Sequence, residues 1–242
     1  MKQGTGILGL IVARGGSKGV PRKNLRLVGG KPLLHWTFEA AQMSRLLTRT
    51  ILSTDDEVMV AYARSERIEV PFMRPPELAT DAATAVDVTL HALQWLASHE
   101  SCHPDYVVLL QPTSPLRTAE DIDGCVEMAM KRGVAAVISV VESREHPCLM
   151  RTIGKDGELM PFIHTSLFES RKQDLPPVYS PNGAVYVARS EVLKERRSWH
   201  PEGALACVMP AERSLDIDTE WDLGLADMIL RSRITHEKDL SQ

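Results

Sequence analysis

The sequence has few cysteines, and they are widely spaced. Only four occur among 242 residues, at positions 102, 125, 148 and 207, and no two of them form a C-x-x-C pair. This spacing argues against a zinc site and against a disulfide framework. Free thiols are typical of a reducing compartment, so we expect a cytoplasmic protein.

Long hydrophobic runs and an excess of one charge are also missing. The first apolar run, residues 6–13, is too short to span a membrane, and it leads into Arg14 without the small-residue cleavage site of a signal peptide. The formal net charge is only -4, which argues against a surface for nucleic acid. We therefore expect neither a membrane nor a nucleic acid as a partner.

What the sequence does have is an alternation of strand-like and helix-like segments. Hydrophobic residues make up 43% of the chain, enough for a large core, and the length suits a single domain over residues 1–242. Strands are predicted at 7–13, 49–53, 68–72, 106–110, 134–141 and 183–188. Helices are predicted at 31–43, 58–66, 81–98, 118–130 and 220–231. This alternation predicts an α/β fold, a three-layer α/β/α sandwich with a mostly parallel, Rossmann-like sheet.

The regular pattern weakens between residues 142 and 177. Turn residues occur there at Gly154, Asp156 and Gly157, and few segments keep a regular period. We interpret this stretch as an insertion that leaves the main sheet, with a hairpin around Asp156 and Gly157.

The first strand runs into a glycine-rich, cationic loop, although the patterns G-x-x-x-x-G-K-S/T and G-x-G-x-x-G are both absent. The glycines, which allow positive φ and close backbone approach, are Gly15, Gly16 and Gly19. The cations are Arg14, Lys18, Arg22 and Lys23. Because like charges within one turn repel each other unless an anion is present, the loop predicts binding of a nucleoside triphosphate rather than a solvated turn.

Two further segments carry candidate chemistry. The loop after the strand at 106–110 is fixed by two prolines and offers Gln111, Thr113, Ser114 and Arg117, at the strand end where α/β proteins collect ligands. Asp216 and Asp218 are spaced so that both point to one face of an extended chain. Paired carboxylates suit Mg²⁺, and the alternative is that one of them caps the following helix.

Seven segments, in order along the chain, resemble those of the acylneuraminate cytidylyltransferases, the CMP-sialic acid or CMP-nonulosonate synthetase family. They are 13–19 with Pro21, Lys23 and Asn24; 53–55; Arg74 and Pro75 with Leu78 and Ala79; 110–117; Arg171 with Gln173 and Asp174; Tyr179 with Asn182 and Gly183; and 216–218. The resemblance covers nearly the whole chain. It implies a fold of the nucleotide-diphospho-sugar transferase type and a homodimer, with the insertion at 142–177 exchanging contacts between subunits.

The resemblance also implies a reaction, in which CTP and an acidic nine-carbon sugar give the CMP-sugar and pyrophosphate with Mg²⁺ as cofactor. The catalytic residues it implies are Lys18, Lys23, Asp216 and Asp218, with the two aspartates holding the metal. The nucleotide-binding residues are Arg14, Gly15, Gly16, Ser17, Asn24, Arg74, Thr113 and Ser114. The residues that face the sugar are Gln111, Arg171, Gln173 and Tyr179.

Two alternatives remain open. The cytidylyltransferases for the eight-carbon acid KDO usually carry R-Y-x-S-x-R-x-P-x-K in the first loop and lack Q-P-T-S-P, whereas this chain has Gln111–Pro115 in that pattern. The other alternative is a non-catalytic nucleotide-binding module, which would not need both the two aspartates and the loop lysines. Residues 163–169 match no pattern for one sugar, so sialic, legionaminic and pseudaminic acids are all compatible with the sequence.

Overall fold

The structure is a computed structural model, and it describes residues 5–17 and 19–240. The strands are β1 (Ile7–Val12), β2 (Leu27–Val28), β3 (Lys31–Pro32), β4 (Arg49–Ser53), β5 (Tyr106–Leu110), β6 (Ala136–Glu142), β7 (Arg151–Ile153), β8 (Leu159–Pro161), β9 (Tyr179–Arg189) and β10 (Leu205–Val208). The helices are α1 (Leu33–Met43), α2 (Glu57–Ser65), α3 (Ala85–Glu100), α4 (Ala119–Arg132), α5 (Ser190–Arg196) and α6 (Glu220–Leu240).

Six strands form the central sheet in the order β10-β6-β9-β5-β1-β4. The strands β4, β1 and β5 are parallel, and β6 and β10 are parallel to each other. Strand β9 lies between β5 and β6 and is antiparallel to both. The sheet is therefore mostly parallel, as predicted, with one reversed strand that the alternation of elements did not indicate.

Helices cover both faces of this sheet. Leu10 and Ile11 are neighbours on β1 and are fully buried on opposite faces, as the two-residue period of a strand requires. Ile11 belongs to a core with α1, α2 and α4, and Leu10 belongs to a core with α3 and α5. The three-layer α/β/α sandwich predicted from the sequence is confirmed.

A third apolar cluster attaches the polar loops to the sandwich. It joins Val20 in the glycine loop, Ile217 between the two aspartates, Trp36 of α1 and Leu230 of α6. Val20 and Ile217 are both fully buried. The glycine loop and the aspartate segment are thus anchored by apolar side chains that alternate with their polar ones.

Most predicted elements differ from the observed ones by a few residues at one or both ends, and two differ more. Residues 68–72 make only an isolated bridge, Ile51 to Glu69, and a second bridge joins Thr54 to Met73 just beyond them; Pro71 has no N–H to donate to a ladder. The helix predicted from residue 81 begins at Ala85, since Thr84 and Asp87 form a capping box at its start. Strand β10 and helix α5 were not predicted.

The insertion contains the hairpin predicted around Asp156 and Gly157. Strands β7 and β8 pair with each other, outside the central sheet, and Gly157 takes a φ of 89° in the turn. That this segment contacts a second subunit stays a prediction. Within the described residues, none of the helices is both long enough and apolar enough to cross a bilayer.

Candidate functional site

The glycine loop and the aspartate segment meet at one edge of the sheet. The Lys23 ammonium donates to the Ile217 carbonyl oxygen at 2.5 Å, and its Nζ lies 3.6 Å from Asp218 Oδ1. The Lys23 side chain is only 13% exposed, whereas that of Asp218 is 79% exposed. The mostly buried Lys23 ammonium therefore holds the backbone of the aspartate segment at Ile217, and the Asp218 carboxylate faces solvent.

Gly19 allows this contact. A Cβ atom at Gly19 would lie 2.3 Å from the Asp218 carbonyl oxygen, so no side chain fits there. Gly15 and Gly16 do not use the positive φ that glycine allows, whereas Arg22 takes a left-handed conformation with a φ of 52°. At Gly16, no described atom lies within 4 Å of where a Cβ would be.

Hydrogen bonds and an ion pair hold the glycine loop in its conformation. The Gly15 N–H donates to Asp55 Oδ1 at 2.9 Å, and the buried Asn24 amide donates to the Arg14 carbonyl oxygen at 3.1 Å. Arg22 pairs with Asp56, whose side chain caps α2. Asn24 therefore shapes the loop, and its direct contact with a nucleotide stays a prediction. Lys18, predicted to be catalytic, lies outside the described residues; Ser17 is half-buried.

Two predicted nucleotide-binding arginines line one cavity of about 370 Å³ together with Gln111. Arg74 is almost fully buried and donates through Nε to Ser53 Oγ at 3.0 Å. Burial lowers the pKa of Arg74 to about 10, and Asp55 partly offsets this effect. Arg14 pairs with Asp81 at 2.7 Å. The cavity thus combines two guanidinium groups with an amide, which suits an anionic or heteroaromatic ligand.

The loop after β5 joins the aspartate segment to β9. The Thr113 carbonyl oxygen accepts from the Ile217 N–H at 2.8 Å, and the buried Ser114 hydroxyl donates to the Asn182 carbonyl oxygen at 3.3 Å. Both residues therefore hold neighbouring segments in place. Their predicted contacts with a nucleotide stay predictions.

Gln111 and Asp216 face the same small space beside Gly183. A Cβ at Gly183 would lie 3.2 Å from Asp216 Oδ2 and 3.4 Å from Gln111 Oε1, and Gly183 has a φ of 73°. Glycine is required here by conformation as well as by space. The predicted sugar contact and the predicted metal ligand are thus neighbours.

The two aspartates carry negative charge that the protein compensates only in part. Burial raises the pKa of Asp216, the Thr113 hydroxyl opposes that shift, and the charge of Asp218 adds to it. In the described part of the chain, no group of three or more His, Cys, Asp or Glu residues could hold a metal. Two carboxylates fit Mg²⁺, which in nucleotide enzymes takes its other ligands from phosphates and water.

The other predicted sugar residues lie on different segments from Asp216. Tyr179 pairs with Glu142 at the start of β9, four residues before Gly183. Gln173 lines a different cavity of about 520 Å³ with His146 and Lys172. Arg171 directly precedes Lys172 in the sequence, and its side chain is exposed. Contact between these residues and the sugar stays a prediction.

Several residues around the site were not among those predicted. Asp55 accepts from the Gly15 N–H, and Asp81 forms an ion pair with Arg14. Burial raises the pKa of Tyr186, and the nearby charge of Asp216 raises it further. Arg117, which the sequence offered as a candidate, is buried and supports the loop by donating to the Gln111 and Ala184 carbonyl oxygens at 3.1 and 2.7 Å. Asp55 and Arg117 occur in the motif segments, but Asp81 and Tyr186 follow no pattern that the sequence alone could reveal.

A mostly parallel sheet with a cationic glycine loop facing two carboxylates defines a nucleotide-binding α/β protein of the nucleotidyltransferase class. Residues 8–202 match the family described as Cytidylyltransferase, and the chain belongs to this family.

Relatives support this assignment. The chain is 33% identical over 231 residues to the CMP-N,N'-diacetyllegionaminic acid synthase of Legionella pneumophila, covering 93% of this chain and 96% of the relative. It is 35% identical over 215 residues to an N-acylneuraminate cytidylyltransferase of Streptococcus agalactiae, covering 88% of this chain. The chain spans only 50% of the length of that second relative.

A solved structure supports the fold. CMP:2-keto-3-deoxy-manno-octonic acid synthetase, complexed with CTP, superposes with a TM-score of 0.70, covering 96% of this chain and 100% of that one. The sequence identity is 14%, so this likeness concerns the architecture and not the substrate.

Proposed function

We propose that the protein is a cytidylyltransferase that joins CTP to a nonulosonic acid, a sialic-acid-like 2-keto sugar, with release of pyrophosphate. The observation that carries the proposal is the contact of Lys23 and Gly19 with the segment of Asp216 and Asp218. This contact supports the proposal because cations that would bind phosphates lie beside carboxylates that would bind a metal, an arrangement that suits phosphoryl-group chemistry. The printed activities of the relatives from Legionella pneumophila and Streptococcus agalactiae support the substrate class.

In this mechanism the protein supplies position and charge. The anomeric hydroxyl of the sugar attacks the α-phosphorus of CTP and gives up its proton to water, a P–O bond forms, and the bond to the pyrophosphate oxygen breaks. Lys23, with Arg14, Ser17 and Lys18, would neutralise the charge that develops on the leaving pyrophosphate. Arg74 and Asn24 would hold the nucleotide in line with the attack.

Asp216 and Asp218 would hold Mg²⁺ through their carboxylate oxygens. The metal would orient the phosphates and favour deprotonation of the sugar hydroxyl. Gln111, beside Asp216, would orient the sugar from the opposite side of Gly183. Arg171 would pair with the sugar carboxylate, since guanidinium–carboxylate pairs are among the strongest hydrogen-bonded contacts.

Pyrophosphate release tests the proposal. Purified protein with CTP and Mg²⁺ is given sialic, legionaminic, pseudaminic and KDO acids, and mass spectrometry identifies the CMP-sugar. We expect turnover with at least one nine-carbon acid and little with KDO. Turnover with KDO alone would favour the eight-carbon alternative, and no turnover with any acid would favour a non-catalytic nucleotide-binding module. ATP, GTP and UTP serve as controls for the base.

We further propose that the protein works as a homodimer in the cytoplasm. The hairpin segment exposes apolar side chains, with Ile153 78%, Leu159 69% and Phe162 60% exposed. Exposed apolar groups of this size are typical of a protein–protein surface, and all four cysteines are free thiols. Light scattering after size exclusion should give a dimer, and Leu159→Asp with Phe162→Asp should give a monomer. A wild-type monomer at micromolar concentration would contradict the dimer.

A further inference from the structure

Asn182 lies at the centre of a buried hydrogen-bond network next to the proposed metal site. The residue is only 4% exposed. Its Oδ1 accepts from Ser139 Oγ at 2.6 Å and from the Ala184 N–H at 3.2 Å, and its Nδ2 donates to Ser214 Oγ at 2.9 Å and Met209 Sδ at 3.3 Å. Every donor and acceptor of the side-chain amide is therefore used.

The partners belong to different parts of the site. Ser139 is on β6, Ser114 of the β5 loop donates to the Asn182 carbonyl oxygen, and Ser214 lies two residues before Asp216. The next residue, Gly183, packs close to Asp216: a Cβ atom at Gly183 would lie 3.2 Å from Asp216 Oδ2. Asn182 thus links the sheet and the β5 loop to the segment that carries the aspartates.

The direction of each hydrogen bond is fixed by the neighbouring groups. The Ser214 hydroxyl donates its proton to the Pro210 carbonyl oxygen at 2.8 Å, so the atom that faces Ser214 Oγ from Asn182 must be a donor. Ser139 Oγ accepts from the Val185 N–H at 2.8 Å, so its own proton is directed at an acceptor. The amide presents a donor to Ser214 and an acceptor to Ser139 from one side chain, whereas an ionised carboxylate would present acceptors to both.

We propose that Asn182 is a positioning residue that acts through Ser214 to set where the Asp216 carboxylate stands relative to Gln111 and the glycine loop. The inference rests on the proposed function, in which Asp216 holds Mg²⁺. Groups that orient a metal-binding carboxylate strengthen metal binding without touching the metal. Asn182 itself is too deeply buried to contact a nucleotide or a sugar.

The test uses Ser214 as the point where the network reaches the aspartates. Ser214→Ala removes the hydrogen bonds to Asn182 and Pro210, Ser214→Thr keeps a hydroxyl, and Ser139→Ala cuts the same network at its sheet end. Binding of Mn²⁺ to the full-length protein is measured by water proton relaxation, in the presence of a CTP analogue with a methylene between the α- and β-phosphates. Circular dichroism melts show which variants are folded.

We expect Ser214→Ala to weaken Mn²⁺ binding by about 10- to 100-fold, and Ser214→Thr to restore it to within about threefold. Asn182→Asp should weaken it similarly, because a carboxylate oxygen would face a hydroxyl that has no proton to give. Ser139→Ala should lower the melting temperature and leave Mn²⁺ binding within about threefold of the wild type. In Ser214→Ala, kcat should fall while the KM for CTP changes little.

Unchanged Mn²⁺ binding in Ser214→Ala would overturn the inference, and so would equal losses in Ser214→Ala and Ser139→Ala, which would indicate general destabilisation. The variant Asp216→Asn shows whether a negative result concerns the positioning role of Asn182 or the proposed metal role of Asp216. If Asp216→Asn binds Mn²⁺ as the wild type does, the metal role is wrong. If Asp216→Asn loses Mn²⁺ while Ser214→Ala keeps it, only the positioning role is wrong.

Discussion

Lys23 Nζ lies 3.6 Å from Asp218 Oδ1 and donates to the neighbouring Ile217 carbonyl oxygen. The glycine loop therefore binds directly to the aspartate segment, which is almost 200 residues later in the sequence. The pair forms although Lys23 is mostly buried and Asp218 mostly exposed. The lysine therefore partly neutralises the aspartate segment before any ligand arrives. It also leaves the Asp218 carboxylate accessible from solvent.

The close approach at Gly19 predicts a steric effect on activity. In Gly19→Ala, the new methyl group would sit 2.3 Å from the Asp218 carbonyl oxygen, so the loop or the aspartate segment must move. Displacements of about 1 Å at a catalytic site cost on the order of 10²-fold in rate. Gly224→Ala, on α6, is the control, because a Cβ there would also have no described atom within 4 Å and the position lies outside the proposed site, and we expect its activity to stay within about threefold of the wild type. Pyrophosphate release measures both, and equal losses would contradict the close-approach argument.

The cations of the glycine loop should differ in importance. Lys23→Ala removes the buried ammonium group, and we expect kcat to fall by about 10²- to 10³-fold, as for other groups that stabilise developing charge. Arg22 is the control, since it is exposed and pairs with Asp56 at 3.2 Å, away from the aspartates. Arg22→Ala should cost less than about fivefold. Steady-state kinetics with varied CTP would contradict this order if Arg22→Ala were the more damaging change.

Arg171 tests the sugar site. If it pairs with the sugar carboxylate, Arg171→Ala should raise the KM for the sugar by about tenfold or more, in keeping with the loss of a charge-assisted hydrogen bond. The KM for CTP should change less than about threefold. Lys172→Ala, at the next position, is the control for a general loss of positive charge. Equal changes in both KM values would remove Arg171 from the sugar site.

Cys207 should be the most reactive thiol at neutral pH. Hydrogen bonding from the neighbouring Cys125 thiol lowers the pKa of Cys207. Because the thiolate is the nucleophile, alkylation of Cys207 by iodoacetamide should rise with pH through a midpoint below that of an ordinary thiol. Cys125→Ala should move that midpoint to higher pH. Mass spectrometry of the labelled peptides measures the rates, and an unchanged midpoint in Cys125→Ala would contradict the hydrogen bond as its cause.

Local features of the sequence indicated the sheet and the positions of the main motifs. The runs at 49–53 and 106–110 became β4 and β5 without change. Strand β5 is buried and apolar throughout, and β4 is buried from Ile51 to Ser53. The reversed direction of β9 could not be predicted in this way. It depends on where the insertion returns the chain to the sheet, and a strand has the same periodicity in either direction.

The sequence singled out the glycine loop and the aspartate segment, but not the contacts that hold them together. Gly19 stood out as a loop glycine, yet the reason for it, the Asp218 carbonyl oxygen, lies near the other end of the chain. Asn182 appeared only as part of a segment that resembles the family, and its partners come from β6 and the segment after β10. Partners so distant in sequence follow from tertiary packing, which no local pattern records.

The most direct test of a shared site is a double-mutant cycle between Lys23 and Asp218. The kcat/KM for CTP is measured for the wild type, Lys23→Met, Asp218→Asn and the double variant, with melting temperatures as a check on folding. If the two residues act as one unit, the double variant should be within about threefold of the worse single variant. Losses that multiply across the two substitutions would contradict the account, because they would mean that the glycine loop and the aspartates work independently.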